Sequence, residues 1–269
     1  MPTTMKKILK YLLLSTMILM LFISGIITWS VYRNYSTALC LLGDMYEKGS
    51  FVTSSNVNAA YWYRKAAERG DVYAQCQLGL MYQRGEGVTR NAAEAKRWYL
   101  KAVEQKSPVA QYRLGDMHYY GFGEAWNKPE AVRWYLKAAE QEYDDAQFML
   151  GIMYEKGEGI KQDKTEAMRW YRKAAEQDHT AAQYSIGNMY YNGEGVKESE
   201  IEAARWYRKA AGLGNGDAQF MLGFMYEKGE GVTQDEAEAI KWYLKAAAQE
   251  NIAAQLRLKN IYNRGKDGD

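Results

Sequence analysis

Residues 146–175 read AQFMLGIMYEKGEGIKQDKTEAMRWYRKAA. Ala146, Leu150 and Met153 fall at i, i+4 and i+7, an apolar stripe along one face of a helix. Gly157 comes just after the last turn, where a left-handed residue closes a helix without a Cβ penalty. Ala167, Trp170, Tyr171 and Ala174 form a second stripe, on a helix from about Glu166 to Glu176. Glu166 and Arg169, three apart, support its polar side. The stretch therefore predicts two helices joined by a glycine turn.

The pattern recurs along the chain every 36 residues. Trp and Tyr stand together at Trp62/Tyr63, Trp98/Tyr99, Trp134/Tyr135, Trp170/Tyr171, Trp206/Tyr207 and Trp242/Tyr243. Leu42/Gly43, Leu78/Gly79, Leu114/Gly115, Leu150/Gly151 and Leu222/Gly223 repeat in phase, with Ile186/Gly187 and Leu258/Lys259 as variants. A glycine in mid-helix costs about 1 kcal/mol against Ala, so one in six successive units should admit a close neighbour. A single two-helix unit cannot bury its own apolar face, and stacking does so. The expected fold is all-α: one α/α solenoid over residues 37–265, six full repeats and a terminal capping helix, with a tail at 266–269. Lys259, with Arg257, Asn260 and Arg264, makes that last helix look like a polar cap. The turn at Gly49, Ser50, Phe51 and Val52 lacks its second glycine and should be altered.

Residues 1–36 differ from the rest. From Tyr11 to Tyr32 no side chain is charged, and 22 residues make roughly 33 Å of helix, enough for a bilayer core of about 30 Å. Lys6, Lys7 and Lys10 precede this stretch and Arg33 follows it. The basic excess lies N-terminally, which predicts a cytoplasmic tail at 1–10, a transmembrane signal-anchor helix at 11–32 and a solenoid on the periplasmic side of an inner membrane. The alternative is a cleaved signal peptide and a secreted protein. The apolar run is longer than the usual leader core and no A-x-A-like site follows it, which favours the uncleaved anchor.

The unit A-Q-x-x-L-G-x-M-Y-x-x-G-x-G-V, followed by A-x-x-W-Y-x-K-A-A, resembles the Sel-1-like repeat family, relatives of the tetratricopeptide repeats. The likeness covers roughly residues 37–265. It implies a right-handed superhelical α/α solenoid that acts as a protein-binding adaptor or scaffold, with bacterial members at envelopes or on host proteins. It carries over no catalytic residues. Some bacterial relatives have paired cysteines in each repeat. Here Cys40 and Cys76 share one slot of adjacent units, too far apart at a helix spacing of about 8–10 Å for a bridge that needs about 7 Å, and read as small core residues.

Composition narrows the function. Of 269 residues, 47% are hydrophobic and 25% charged, a globular balance. The first 33 residues hold four of the 35 basic side chains and no acid, which leaves 31 basic against 33 acidic. A near-neutral body lacks the basic stripe a nucleic-acid binder needs. Two Cys and two His supply no His/Cys zinc site. The S-x-x-K, S-D-N and K-T-G signatures of penicillin-interacting enzymes are missing, as are H-E-x-x-H and the phosphate loop. An envelope hydrolase is thus the weakest reading, and neither catalytic residues nor cofactors are expected. The expected partners are a protein or peptide and, through the N-terminal helix, the lipid bilayer.

A solenoid binds through positions its repeat leaves free. On the first helix these are the slots of Met149, Ile152, Glu155 and Lys156, three and four apart on one face. By resemblance this face lines the concave side. Tyr119, Tyr120, Met149, Ile152, Tyr191, Met221 and Phe224 put interface-prone side chains there, and are the expected groove for an extended or helical protein segment. Each could instead be packed between neighbouring first helices. The tryptophans read as core, and Lys173 with its equivalents as a solvated rim.

Overall fold

The computed structural model describes residues 29–123 and 125–266. The predicted tail at 1–10 and all but the last four residues of the predicted span at 11–32 lie outside them. Among the described residues no helix is long and apolar enough to cross a membrane.

The helices group into two compact units, residues 1–106 and 107–269. The first contains α1 (Trp29–Lys48), α2 (Asn56–Ala67), α3 (Val72–Arg84) and α4 (Ala92–Glu104). The second contains α5 (Pro108–Tyr120), α6 (Lys128–Ala139), α7 (Asp144–Lys156), α8 (Lys164–Ala175), α9 (Thr180–Asn192), α10 (Glu200–Gly212), α11 (Gly216–Lys228), α12 (Glu236–Ala247) and α13 (Ile252–Lys266). All described regular structure is helical. The repeats pair as α1/α2, α3/α4, α5/α6, α7/α8, α9/α10 and α11/α12, and within each unit successive helices pack on one another.

Side chains at fixed slots set the helix ends. Ser55, Asn91, Asn127, Asp163, Ser199 and Asp235 each accept the third helical N–H of a second helix. Gly85, Gly121, Gly157, Gly193 and Gly229 end first helices in the left-handed conformation. The second turn glycine fits a tight space: a Cβ at Gly195 would lie 2.6 Å from the Lys164 carbonyl oxygen. The first turn, expected to be altered, keeps the backbone of the others: Gly49 is left-handed, and Ser50 and Ser55 donate to Met45 and Tyr46 as Glu86 and Asn91 do to Met81 and Tyr82. Phe51 holds the left-handed φ of 63° in that slot and is almost wholly exposed.

The mid-helix glycine makes room for a ring. In every repeat the Tyr of the following second helix, from Tyr63 to Tyr243, lies flat on it and is at most 1% exposed. A Cβ at Gly115 would stand 2.5 Å from Cε1 of Tyr135. The neighbouring Trp corrects the sequence reading. Trp98 and Trp170 are buried, whereas Trp62, Trp134, Trp206 and Trp242 are half-buried. Nor is the repeated Lys a bare solvated rim. The ammonium groups of Lys101, Lys137, Lys173, Lys209 and Lys245 lie 3.9–4.4 Å from the centroids of Trp98, Trp134, Trp170, Trp206 and Trp242. The stem covers the open edge of the indole and the charge sits on its face.

A glutamine clamp ties each first helix into its surroundings. Buried Gln75, Gln147 and Gln219 donate Nε2 to carbonyls of the preceding second helix, Ala67, Ala139 and Ala211. Their Oε1 atoms accept from Gln105, Gln177 and Gln249, 30 residues on. Gln111 accepts from Gln141 in the same way. In the fifth repeat the donor slot holds Leu213, half exposed, and Gln183 Oε1 is buried without a partner.

The last helix exposes Gln255, Lys259, Asn260 and Asn263 together with apolar side chains. Ala254 is buried, while Ile252, Leu256 and Tyr262 are exposed on the face that a following second helix would cover.

Two substitutions test these contacts. Gly115→Ala should destabilise by about 2 kcal/mol in urea unfolding, against a helix-propensity gain of about 1 kcal/mol, because the Tyr135 ring must move. Leu213→Gln should stabilise by about 1 kcal/mol in the same assay, since it gives Gln183 Oε1 the partner four other repeats supply.

Candidate protein-binding face

The candidate residues all lie on the first helices of the second unit. The first helices are neighbours there: Tyr119 of α5 donates its hydroxyl to Glu158, just past α7, at 2.5 Å. Tyr191 of α9 donates to Glu230, just past α11, at 2.8 Å. Arg257 of α13 lies over the Phe224 ring at 5.6 Å and 3.7 Å from Glu227.

The seven side chains are not equally open. Tyr120 is 56% exposed and meets Tyr119 edge to face, with centroids 4.8 Å apart. Tyr119, Ile152, Tyr191, Met221 and Phe224 are half-buried. Ile152 lies between the apolar cluster around Tyr135 and Leu150 and the one around Tyr171 and Ile186. Met149 is only 7% exposed and belongs to the first of these clusters. It is a packing residue and not an open anchor, because the cluster shared by α6 and α7 covers it, whereas Met221 in the equivalent slot keeps part of its surface open. The rest form a surface held from below and open above.

The hydroxyls of the buried tyrosines decide where polar groups stand on this face. Each needs an acceptor, and the repeats supply it from two different slots. In the fourth and sixth repeats Tyr171 and Tyr243 donate to Glu155 and Glu227. In the third and fifth, Tyr135 donates to Asp116 at 2.8 Å and Tyr207 to Asn188 at 2.7 Å. The vacated glutamate slot then holds Tyr119 or Tyr191. Burial together with Glu230 pushes the Tyr191 hydroxyl up to about 12, and burial with Glu158 raises Tyr119. The unit thus has a 72-residue alternation. Repeats four and six share AQFMLG-x-MYEKGEG, whereas three and five have Tyr112 and Tyr184 where those have Phe148 and Phe220. The sequence reading fixed on the 36-residue period and missed it, although comparing alternate repeats would have exposed it.

Asp116 is the strained member of the set. It is 6% exposed, and burial pushes its carboxyl up to about 6 although Tyr135 and Arg113, at 3.4 Å, favour the charged form. A second group that spacing alone did not reveal is Asp144, Asp145 and His179. His179 Nδ1 accepts the Ala182 N–H at 3.1 Å as the cap of α9, and Nε2 lies 3.3 Å from Asp145. Phe148 stacks on the ring at 4.6 Å. One ring nitrogen caps α9 and the other reaches Asp145 of α7, so the group reads as a structural clasp. Cys40 and Cys76 are buried and not joined in a disulfide.

Tandem two-helix repeats stacked in this way define an α/α repeat protein. The Sel1 repeat pattern matches residues 36–71, 72–107, 108–143, 144–179, 180–215 and 216–251, and the chain belongs to the Sel1 repeat family. Such proteins generally mediate protein–protein interaction. Comparison with curated proteins gives no match. Among solved structures the chain is similar to c5321, a protective antigen of uropathogenic Escherichia coli, at 37% identity and a TM-score of 0.78. The match covers 89% of this chain and 52% of c5321, so the chain spans about half the length of that relative. A Sel1 repeat protein from Oxalobacter formigenes is 35% identical with a TM-score of 0.75, over 80% of this chain and 88% of the other. Immunity protein Pa5087 of Pseudomonas aeruginosa, 22% identical over 82% of this chain and 83% of its own, shares the fold at a TM-score of 0.55.

Asp116 gives a pH test. Its folded pKa, about 6, lies above its ordinary value of 3.8, so the folded state holds the proton more tightly. Its contribution is fully present below about pH 4, declines as pH rises toward 6 and is gone above that. Asp116→Asn keeps the acceptor for Tyr135, as Asn188 does for Tyr207. The variant should gain about 1–3 kcal/mol over wild type between pH 4 and pH 7, read from urea unfolding at each pH. A difference that does not change with pH would refute this.

Proposed function

We propose that the protein is a membrane-tethered adaptor that captures a segment of another protein on the first-helix face of its second unit. The observation that carries this is the row Tyr119, Tyr120, Ile152, Tyr191, Met221 and Phe224. Each is braced by the fold yet leaves surface uncovered, and residues of these types dominate interface centres. Ordering such side chains beforehand reduces what binding must immobilise. The tether is the uncharged stretch at 11–32 with its N-terminal lysines, which favours a solenoid held on the extracytoplasmic face of an inner membrane.

The test places a photo-crosslinking amino acid at position 224 in living cells, with position 173 on the second-helix side as control. Adducts and the uncrosslinked chain are then followed by fractionation and mass spectrometry. The expected result is a discrete protein adduct at 224 only, lost in the Met221→Ala variant, with the chain in the membrane fraction and still starting at Met1. Equal adducts at both positions would remove the face from consideration. A soluble chain beginning near Gly25 or Arg33 would replace the tether with secretion.

A further inference from the structure

We propose that the second-helix side of the second unit docks on a lipid surface carrying anionic phosphate headgroups, with Arg172, Lys173, Arg208, Lys209 and their equivalents as the contacts. This rests on the tethered reading for its membrane and goes further by giving the solenoid a second attachment, one read by charge.

Charge segregation carries the argument. The unit from residue 107 onward is acidic, with 26 Asp and Glu against 21 Lys and Arg. Yet residues 131–139, 167–175, 203–211 and 239–247, within α6, α8, α10 and α12, hold ten of those basic side chains and no acid. All ten are exposed, and the tyrosines between them are buried. The first cation of each helix is paired with the glutamate three residues before it, as Arg205 is with Glu202 at 2.7 Å. The other six lie on neutral groups. Lys137, Lys173, Lys209 and Lys245 sit on tryptophan rings. Arg172 and Arg208 donate Nη2 to the Tyr190 and Tyr226 hydroxyls at 2.7 and 3.0 Å. These contacts orient the cations without neutralising them, so their charge is left for a partner.

The array fits a surface. Neighbouring helices stand about 8–10 Å apart, so four rungs spread the charge over roughly 24–30 Å, across four helices and not in one pocket. Half-buried indoles at Trp134, Trp206 and Trp242 stand among the cations, with Ile201 and Leu244 exposed beside them. Cations, indoles and apolar side chains together are the composition of a membrane–water interface. A nucleic-acid backbone or an acidic peptide would pair with the cations and leave Ile201 and Leu244 in water. Each cation strengthens attachment to an anionic surface by about fivefold. A tether makes docking intramolecular and so turns weak contacts into occupancy.

The experiment reconstitutes full-length protein into nanodiscs of phosphatidylcholine, alone or mixed with phosphatidylglycerol. Lysines are then acetylated and the rate at each is followed by mass spectrometry. Expected is that Lys137, Lys173, Lys209 and Lys245 react about fivefold more slowly in the anionic discs, whereas Lys156 and Lys228, exposed on first helices, do not change. High salt should abolish the difference. Arg172→Gln with Arg208→Gln leaves every reporting lysine in place. It should weaken docking about thirtyfold and restore the rates, with helicity unchanged. Equal rates in both discs overturn the docking, and the tether stands if the protein co-elutes with the zwitterionic discs. A chain that elutes apart from zwitterionic discs yet shows the lysine pattern on anionic ones loses the tether and keeps the docking side. Elution apart from both overturns both. Stronger protection by added duplex DNA or polyglutamate than by the anionic discs assigns the side to a nucleic acid or an acidic protein and overturns the lipid.

Discussion

Everything in this fold depends on a tyrosine ring laid on a glycine. The second helix of each repeat can approach the first only because the first has no Cβ at one mid-helix position, and the ring of Tyr63, Tyr99, Tyr135, Tyr171, Tyr207 or Tyr243 fills the gap. The glycine sacrifices about 1 kcal/mol of helix propensity. Full burial of the ring, worth a few kcal/mol, offsets that. The alanines at Ala59, Ala66 and their equivalents around each ring are small for the same reason: interdigitation at this distance leaves no space for more.

The ring brings a hydroxyl that cannot be left dry. A buried unsatisfied group of this kind costs about 1–3 kcal/mol, so each repeat must offer an acceptor from its first helix. That requirement joins stability to the candidate surface. Where Glu155 or Glu227 accepts, the slot one turn earlier is released for Ile152 or Phe224. Where Asp116 or Asn188 accepts, the glutamate slot is released for Tyr119 or Tyr191. The alternating chemistry of the face follows from where each tyrosine proton is received.

The architecture was legible in the sequence because strict periodicity exposes it. The Trp-Tyr and Leu-Gly words, the turn glycines and the capping Ser, Asn and Asp all fall on one phase. The missing glycine at Phe51 misled, because Phe51 takes the left-handed φ itself and the turn is kept. The site was legible only in part. Spacing assigned Tyr119, Ile152, Tyr191 and Phe224 to one face, but spacing counts only residues along a helix. It could not show that Met149 is turned toward α6, or that Trp rings are roofed by the lysine three residues later. Nor could it bring His179 to Asp145, 34 residues away, because that contact depends on how neighbouring first helices sit. The Gln183 defect needed both kinds of knowledge: a slot comparison to see Leu213, and the structure to see what a glutamine does there.

Family membership constrains the remaining freedom in a useful way. The residues that define a Sel1 repeat are spent on the ring-on-glycine contact, the caps and the glutamine clamp, so they say nothing about what is bound. What distinguishes this chain lies in the slots those contacts leave open. There the second unit departs from uniform repetition twice: in the alternation of Ile152, Asn188 and Phe224, and in the weakened joint at Gly212, Leu213 and Gly214. The first departure places chemistry on the surface. The second removes a clamp from the end of α10, next to α11, where Phe224 resides. The joint keeps its backbone bonds, from Leu213 to Lys209, Gly214 to Ala211 and Asn215 to Ala210, and lacks only the side-chain clamp. The two departures therefore sit on adjacent elements, α10 and α11, and both arise at slots that the repeat's shared contacts leave to vary.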